Sequence, residues 1–164
     1  MSVFRVPGPV TVKFGTAPSP VSLGVSKQGC IIRTNTSWIT ITDDAHGTVP
    51  ADFIYGGKAV QVEVVGLNVA QLKTCNIFND YQGLLASGGA AGLATIGALA
   101  SALGKQLSIV ERGDVYTWTA LLAVPLDPDA LGLLSTTELA VPVTFLIVPD
   151  VNNKLFSTLP AYIL

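Results

Sequence analysis

Apolar and polar side chains alternate in short runs along this chain, and each run reads as a strand with one face turned inward. Val10-Thr11-Val12-Lys13-Phe14 is the first, ended by two prolines and a glycine between Gly15 and Pro20. A short apolar run, Cys30-Ile31-Ile32 before Arg33, follows, and then Trp38-Ile39-Thr40-Ile41-Thr42 alternates with β-branched and aromatic residues. Asp43-Asp44-Ala45-His46-Gly47 is a turn by its chemistry, because Asp tolerates turn geometry and Gly supplies positive φ. After Gly56-Gly57, read as a second tight turn, Val60, Val62 and Val64 alternate with polar residues. The pattern returns in Leu107-Ser108-Ile109-Val110-Glu111, in Val115 to Val124 after the Arg112-Gly113-Asp114 turn, and in the apolar run from Leu139 to Pro149. Pro142 suggests that this last strand has an edge position or a bulged start. Pro125-Leu126-Asp127-Pro128-Asp129 is expected outside any strand interior, since each Pro lacks an amide donor.

These runs predict strands near 10–14, 29–33, 37–42, 59–65, 106–111, 115–124 and 141–148. One helical signal interrupts them. Val69, Leu72 and Ile77 recur at helix-compatible spacing behind a capping Asn68, which predicts a short helix near 68–78. Many short strands, frequent turns and one flanking helix make an all-β sandwich or barrel. No composition shift or repeat divides the chain, so residues 1–164 are read as a single domain. Trp38, Ile39, Ile41, Val60, Val62, Val64, Ile109, Trp118, Leu122, Val143, Phe145 and Ile147 are the candidates for core or interface.

Composition changes the picture. Only 12% of the residues are charged, about half the usual share, while 49% are hydrophobic. Such a chain must hide much of its exterior, in a bilayer or against other copies of itself. The window from Tyr81 to Gly104 carries no charge at all. It is long enough to span a membrane, and Gly88 and Gly92 form a small-xxx-small pair. Six glycines between Gly83 and Gly104 oppose a stable helix, at about 1 kcal/mol each relative to Ala, and no aromatic belt or basic cluster flanks the window. The favoured reading is a Gly/Ala-rich insertion at 82–104, a long loop or partly helical segment. There Leu84, Leu85, Leu93, Ile96, Leu99 and Leu103 would meet a neighbouring subunit, with no stable membrane insertion.

Catalytic chemistry has little material. His46 is the only histidine, so neither a His-based metal site nor a Ser-His-Asp set can be assembled easily. Asp43, Asp44 and His46 are explained by the turn that they form. Gly88-Gly89-Ala90-Ala91-Gly92 lacks the Lys-Ser/Thr ending of a phosphate loop. No enzyme activity, cofactor or metal is expected. The net charge of −2 and the singly scattered Lys and Arg residues give no basic footprint for holding nucleic acid. Cys30 and Cys75, each among apolar residues and without an export signal ahead of them, read as buried reduced thiols.

From Gly29 to Gly66 the order is a strand, a Trp-containing strand, the Asp-Asp-x-His-Gly turn, Val49-Pro50-Ala51-Asp52-Phe53-Ile54, Gly56-Gly57, and an alternating Val strand leading to a helix. This order resembles the tail tube proteins of tailed bacteriophages. Pro125-Leu126-Asp127-Pro128-Asp129, the strand from Leu139 to Val148, Pro149-Asp150 and Lys154-Leu155-Phe156 are similar to the last strands of that family. The likeness covers about two thirds of the chain, and the Gly/Ala-rich stretch from Gln82 to Gly104 departs from it. The resemblance implies a structural virion protein, assembled in the host cytoplasm. It implies hexameric rings that stack into a hollow tail tube, with other tail proteins as further partners and DNA only in transit through the lumen. A wall without a basic patch suits that transit. Two alternatives are another β-fold virion component (a tail terminator, baseplate or head-decoration protein) and a small membrane-associated protein using 81–104.

Overall fold

The computed structural model describes residues 2–16, 18–45, 47–67, 99–113, 116–126 and 141–163. They form an all-β structure of eight strands in one antiparallel sheet. The strands are β1 (Ser2–Val6), β2 (Val10–Gly15), β3 (Val21–Ser26), β4 (Cys30–Ile41), β5 (Asp52–Leu67), β6 (Lys105–Glu111), β7 (Thr117–Leu126) and β8 (Val141–Val148). A single helical turn, α1 (Ala100–Leu103), precedes β6. The strand order is β1-β4-β5-β8-β7-β6-β2-β3.

Two of the connections span almost the whole order. Pro7-Gly8-Pro9, with a cis Gly8–Pro9 bond, carries the chain from β1 at one edge to β2, next to the other edge. Lys27-Gln28-Gly29 carries it back from β3 at the far edge to β4. Three residues cannot cross a flat eight-stranded sheet, since strands lie about 4.8 Å apart. The sheet is therefore rolled until its ends approach, and its inner faces meet across a core. Phe14 of β2 and Phe145 of β8, three places apart in the order, have ring centroids 5.2 Å apart.

The two links touch backbone to backbone. A Cβ built on Gly29 would collide with the Val6 carbonyl oxygen, and one on Gly8 would collide with the Lys27 carbonyl oxygen. Gly29 also sits at φ +82°, where L side chains are strained. The buried Ser26 hydroxyl donates to the Gly29 carbonyl at 2.7 Å, which fixes the turn and satisfies that hydroxyl.

Inward positions follow the alternation in the sequence. Val10, Val12 and Phe14, then Val60, Val62 and Val64, then Leu107 and Ile109, then Val143, Phe145 and Ile147 are all buried. Each such side chain contributes about 1.5–3 kcal/mol on leaving water. Trp118 joins them, and Leu122 is half-buried. Cys30 is a buried free thiol. Burial, with the negative charge of Glu111, pushes it up to about 12, so it stays protonated and unreactive at neutral pH. Cys75 and the helix expected at 68–78 lie outside the described residues.

Several boundaries differ from those read in the sequence. β1 and β3 were not expected. The runs at 29–33 and 37–42 are one strand, because Thr34-Asn35-Thr36-Ser37 continues the β5 ladder despite its polarity. Gly56-Gly57 is no turn: the register slips between Ser37/Trp38, so these glycines form a bulge inside the sixteen-residue β5. Pro125 and Leu126 end β7 rather than lying outside it. β6 pairs with β7 only as far as Ala123, so the missing Pro125 amide breaks no ladder bond on that side. β8 is interior and not an edge, and Pro142 stands beside the register shift between Val64 and Leu67, which is the bulged start that a proline allows.

The closure carries a test. Gly29→Ala should lower the unfolding free energy by about 3 kcal/mol or more, through left-handed backbone strain and a backbone clash. Urea titration of the dispersed protein measures it. A loss below about 1 kcal/mol would show that the two links are not in tight contact.

Candidate assembly interface

β4 and β5 are longer than their neighbours. β1 covers the outer edge of β4 only from Cys30 to Thr34, and β8 covers β5 only from Val60 to Leu67. Beyond those points Asn35–Ile41 and Asp52–Ala59 pair only with each other among the described residues. The result is a free-standing two-stranded ribbon. Seven residues at about 3.3 Å each give it a length of roughly 23 Å. Its base is tied by the cross-strand ion pair of Arg33 and Glu63 at 2.6 Å. At its far end the Ala51 amide donates to the Ile41 carbonyl at 2.9 Å.

The register puts apolar side chains on both faces. Trp38 faces Tyr55 and Thr40 faces Phe53, so one face carries three aromatic rings. Trp38 and Tyr55 meet edge to face, with centroids 5.5 Å apart. An open apolar cleft of about 340 Å³ lies against Trp38 and Phe53. On the opposite face Ile39 meets Ile54, and Ile41 follows. Trp38 is 59% exposed, Ile39 57%, Phe53 54%, Ile54 52% and Tyr55 55%, so neither face is covered by the described residues. With Ile41 and Val49 these side chains leave on the order of 700 Å² of apolar surface in water, taking 150–250 Å² for each aromatic. Divided between two opposite faces, this is roughly 300–400 Å² per face, the size of the largest patch on a typical monomer, and the two faces together approach the ~800 Å² that one partner gives to a standard interface.

Charge is sparse here too. No Lys or Arg occurs between Arg33 and Lys58, and the acidic residues are Asp43, Asp44 and Asp52, all near the far end. The Asp52 carboxylate accepts from the Phe53 amide at 2.7 Å, a local contact that caps the start of β5. The ribbon therefore has apolar flanks and an acidic end. It leaves a large apolar surface in water.

The residues singled out in the sequence fall differently. Leu84, Leu85, Leu93 and Ile96 lie outside the described residues, as do His46, Asp127 and Asp129. Leu99 is 72% exposed, and Leu103 belongs to α1. Gly104 packs its backbone against Leu122, with a would-be Cβ 3.1 Å from the Leu122 Cβ, so the end of the uncharged window rests on β7. Trp38, Ile39 and Ile41, candidates for core or interface, all stand on the ribbon. Phe53, Ile54 and Tyr55 were missed as interface residues. Their signal was present: three consecutive large apolar residues on a strand cannot all face one side.

Among the described residues, no three His, Cys, Asp or Glu side chains gather as a metal site, and no helix is long and apolar enough to cross a membrane. Compared with protein-family models and with curated proteins, the sequence gives no match.

An isolated two-stranded ribbon is only marginally stable in water. In the dispersed protein, the amides of Trp38–Ile41 and Phe53–Tyr55 should exchange with solvent at least a hundredfold faster than those of Val62 and Val64. Hydrogen exchange read by mass spectrometry measures this, and equal protection in the two halves of β5 would contradict a free-standing ribbon.

Proposed function

We propose that this protein is a structural subunit that assembles with copies of itself into rings, and that the rings stack into the hollow tail tube of a tailed bacteriophage. The observation that carries the reading is the ribbon whose two apolar faces the described residues leave uncovered, on a chain whose charged fraction is only 12%. A one-sided patch would suit docking on a flat surface. A ribbon apolar on both sides is satisfied only when it enters a groove or lies between two neighbours. In an assembly of identical subunits every ribbon finds the same groove; a head-to-tail contact that closes makes a ring, and a second contact that does not close stacks the rings into an open tube. The resemblance in residues 29–66 and 125–156 supplies the specific identity, a tail tube with six-membered rings. The same reading makes the protein a virion component that contacts other tail proteins and touches DNA only as it passes.

Electron microscopy of concentrated protein in negative stain tests the reading. Tubes of uniform width are expected. Single rings that never stack would favour a tail terminator or another capping component, and detergent-dependent particles would favour a membrane-associated protein. Variants sharpen the test. Trp38→Asp and Ile54→Asp put a carboxylate on opposite faces of the ribbon, where the dispersed chain should tolerate it within about 0.5 kcal/mol. Burial of that unpaired charge in an interface costs several kcal/mol at every copy. Each variant should therefore stay folded and remain a low-order species by light scattering. Wild-type assembly by both would remove the ribbon from the interface.

A further inference from the structure

The last residues of the chain reach back to the first strand. β8 covers β7 only from Leu122 onward, which leaves the first half of that β7 edge without a strand partner. After β8 the chain turns at Pro149–Lys154, where the Asp150 carboxylate accepts from the Asn152 amide at 2.8 Å and the Lys154 amide at 2.9 Å. It then returns along the uncovered edge of β7. The Thr119 amide donates to the Thr158 carbonyl at 3.0 Å, and the Thr119 carbonyl accepts from the Ser157 amide at 2.8 Å. Leu155, Phe156 and Leu159 pack on the core, and Pro160 is buried.

Beyond Pro160 the chain leaves β7 and meets β1. The Tyr162 ring stacks on Phe4 with centroids 6.4 Å apart, and packs edge-on against Tyr116 at 5.0 Å. Phe4 also touches Trp118, at 5.4 Å, and Phe156 lies on another side of Trp118 at 5.7 Å. One carboxylate oxygen of Glu111 accepts from both the Trp118 indole, at 3.0 Å, and the Tyr162 hydroxyl. Partial burial and the bond to Glu111 push the Tyr162 hydroxyl up to about 12, so it remains a donor at all neutral pH values.

β1 needs such support. It has five residues, pairs with β4 alone among the described residues, and buries only Val6. Its far end, Ser2 to Phe4, is anchored by the ladder and by the rings around Phe4.

We propose that the C-terminal strap, Pro149–Ile163, is a latch that holds the edge strand β1 on the sheet, with Tyr162 as the residue that positions it. The latch joins the two ends of the chain through Phe4 and Glu111. When it is closed, β1 shields the backbone edge of Cys30–Thr34. When it is open, that edge is free for strand addition. The device is independent of the tube reading, because it concerns the dispersed chain.

Hydrogen exchange of the full chain tests it, comparing Tyr162→Ala and Tyr162→Phe with the parent. The Ala variant should speed exchange of the amides from Val3 to Val6 at least tenfold, and leave Val12 and Ile109 within twofold. The Phe variant, which keeps the ring and loses only the bond to Glu111, should fall between the two. Unchanged exchange in β1 of the Ala variant would overturn the proposal. An equal rise in β1 and in the core amides would also overturn it, because Tyr162 would then serve general stability. If the Ala variant does not fold, the Phe variant decides by the same selective rise in β1.

Discussion

Everything in this structure hangs on the contact between two three-residue links, Pro7–Pro9 and Lys27–Gly29. Both must travel from one end of the strand order to the other, and both do so only because the sheet is rolled. Glycine at positions 8 and 29 lets the two backbones touch where any side chain would clash. That contact places β3 opposite β5 and brings Phe14 onto Phe145. It also leaves β1 and β3 with one edge each unpaired among the described residues.

The rolled body explains why the ribbon exists. Neighbouring strands end where the core ends, and β4 and β5 continue past them into solvent. Inside the body burial alternates along them, with Cys30, Ile32, Val60, Val62 and Val64 on the core face. Outside it the alternation stops, and apolar side chains take both faces. The change of pattern along a single strand marks a change of setting, from holding the fold to, in the proposed assembly, meeting a second chain. A protein with few charges has few other means of choosing its contacts, so the ribbon and the strap together decide which of its edges and faces are available.

Much of this was legible in the residues. The strands at 10–14, 59–65, 106–111 and 141–148 were plain because each buries one face, and period two then has a physical cause. β3 was hidden by Pro18, Pro20 and Gly24, and β1 by the prolines that follow it and by the lack of a buried alternate face. The continuity of β4 and β5 was obscured by the polar run Thr34–Ser37 and by Gly56-Gly57, which bulges the strand where a turn was read. The strap was read only as part of the family's last strands, at Pro149-Asp150 and Lys154-Leu155-Phe156, whereas 154–156 is no strand and the segment meets β7 through the bridge of Thr119 and Thr158. Phe156 and Tyr162 belong to no periodic run, and their partners Phe4, Glu111 and Trp118 are set by the roll of the sheet.

The central claim is that both faces of the ribbon are covered by other copies of the chain. Hydroxyl-radical footprinting of dispersed and assembled protein, read residue by residue, tests it most directly. The account predicts that Trp38, Phe53 and Tyr55 on one face and Ile39 and Ile54 on the other all lose most of their reactivity on assembly, while the exposed Val151 keeps its own. Assemblies in which either face reacts as it does in the dispersed chain would contradict it.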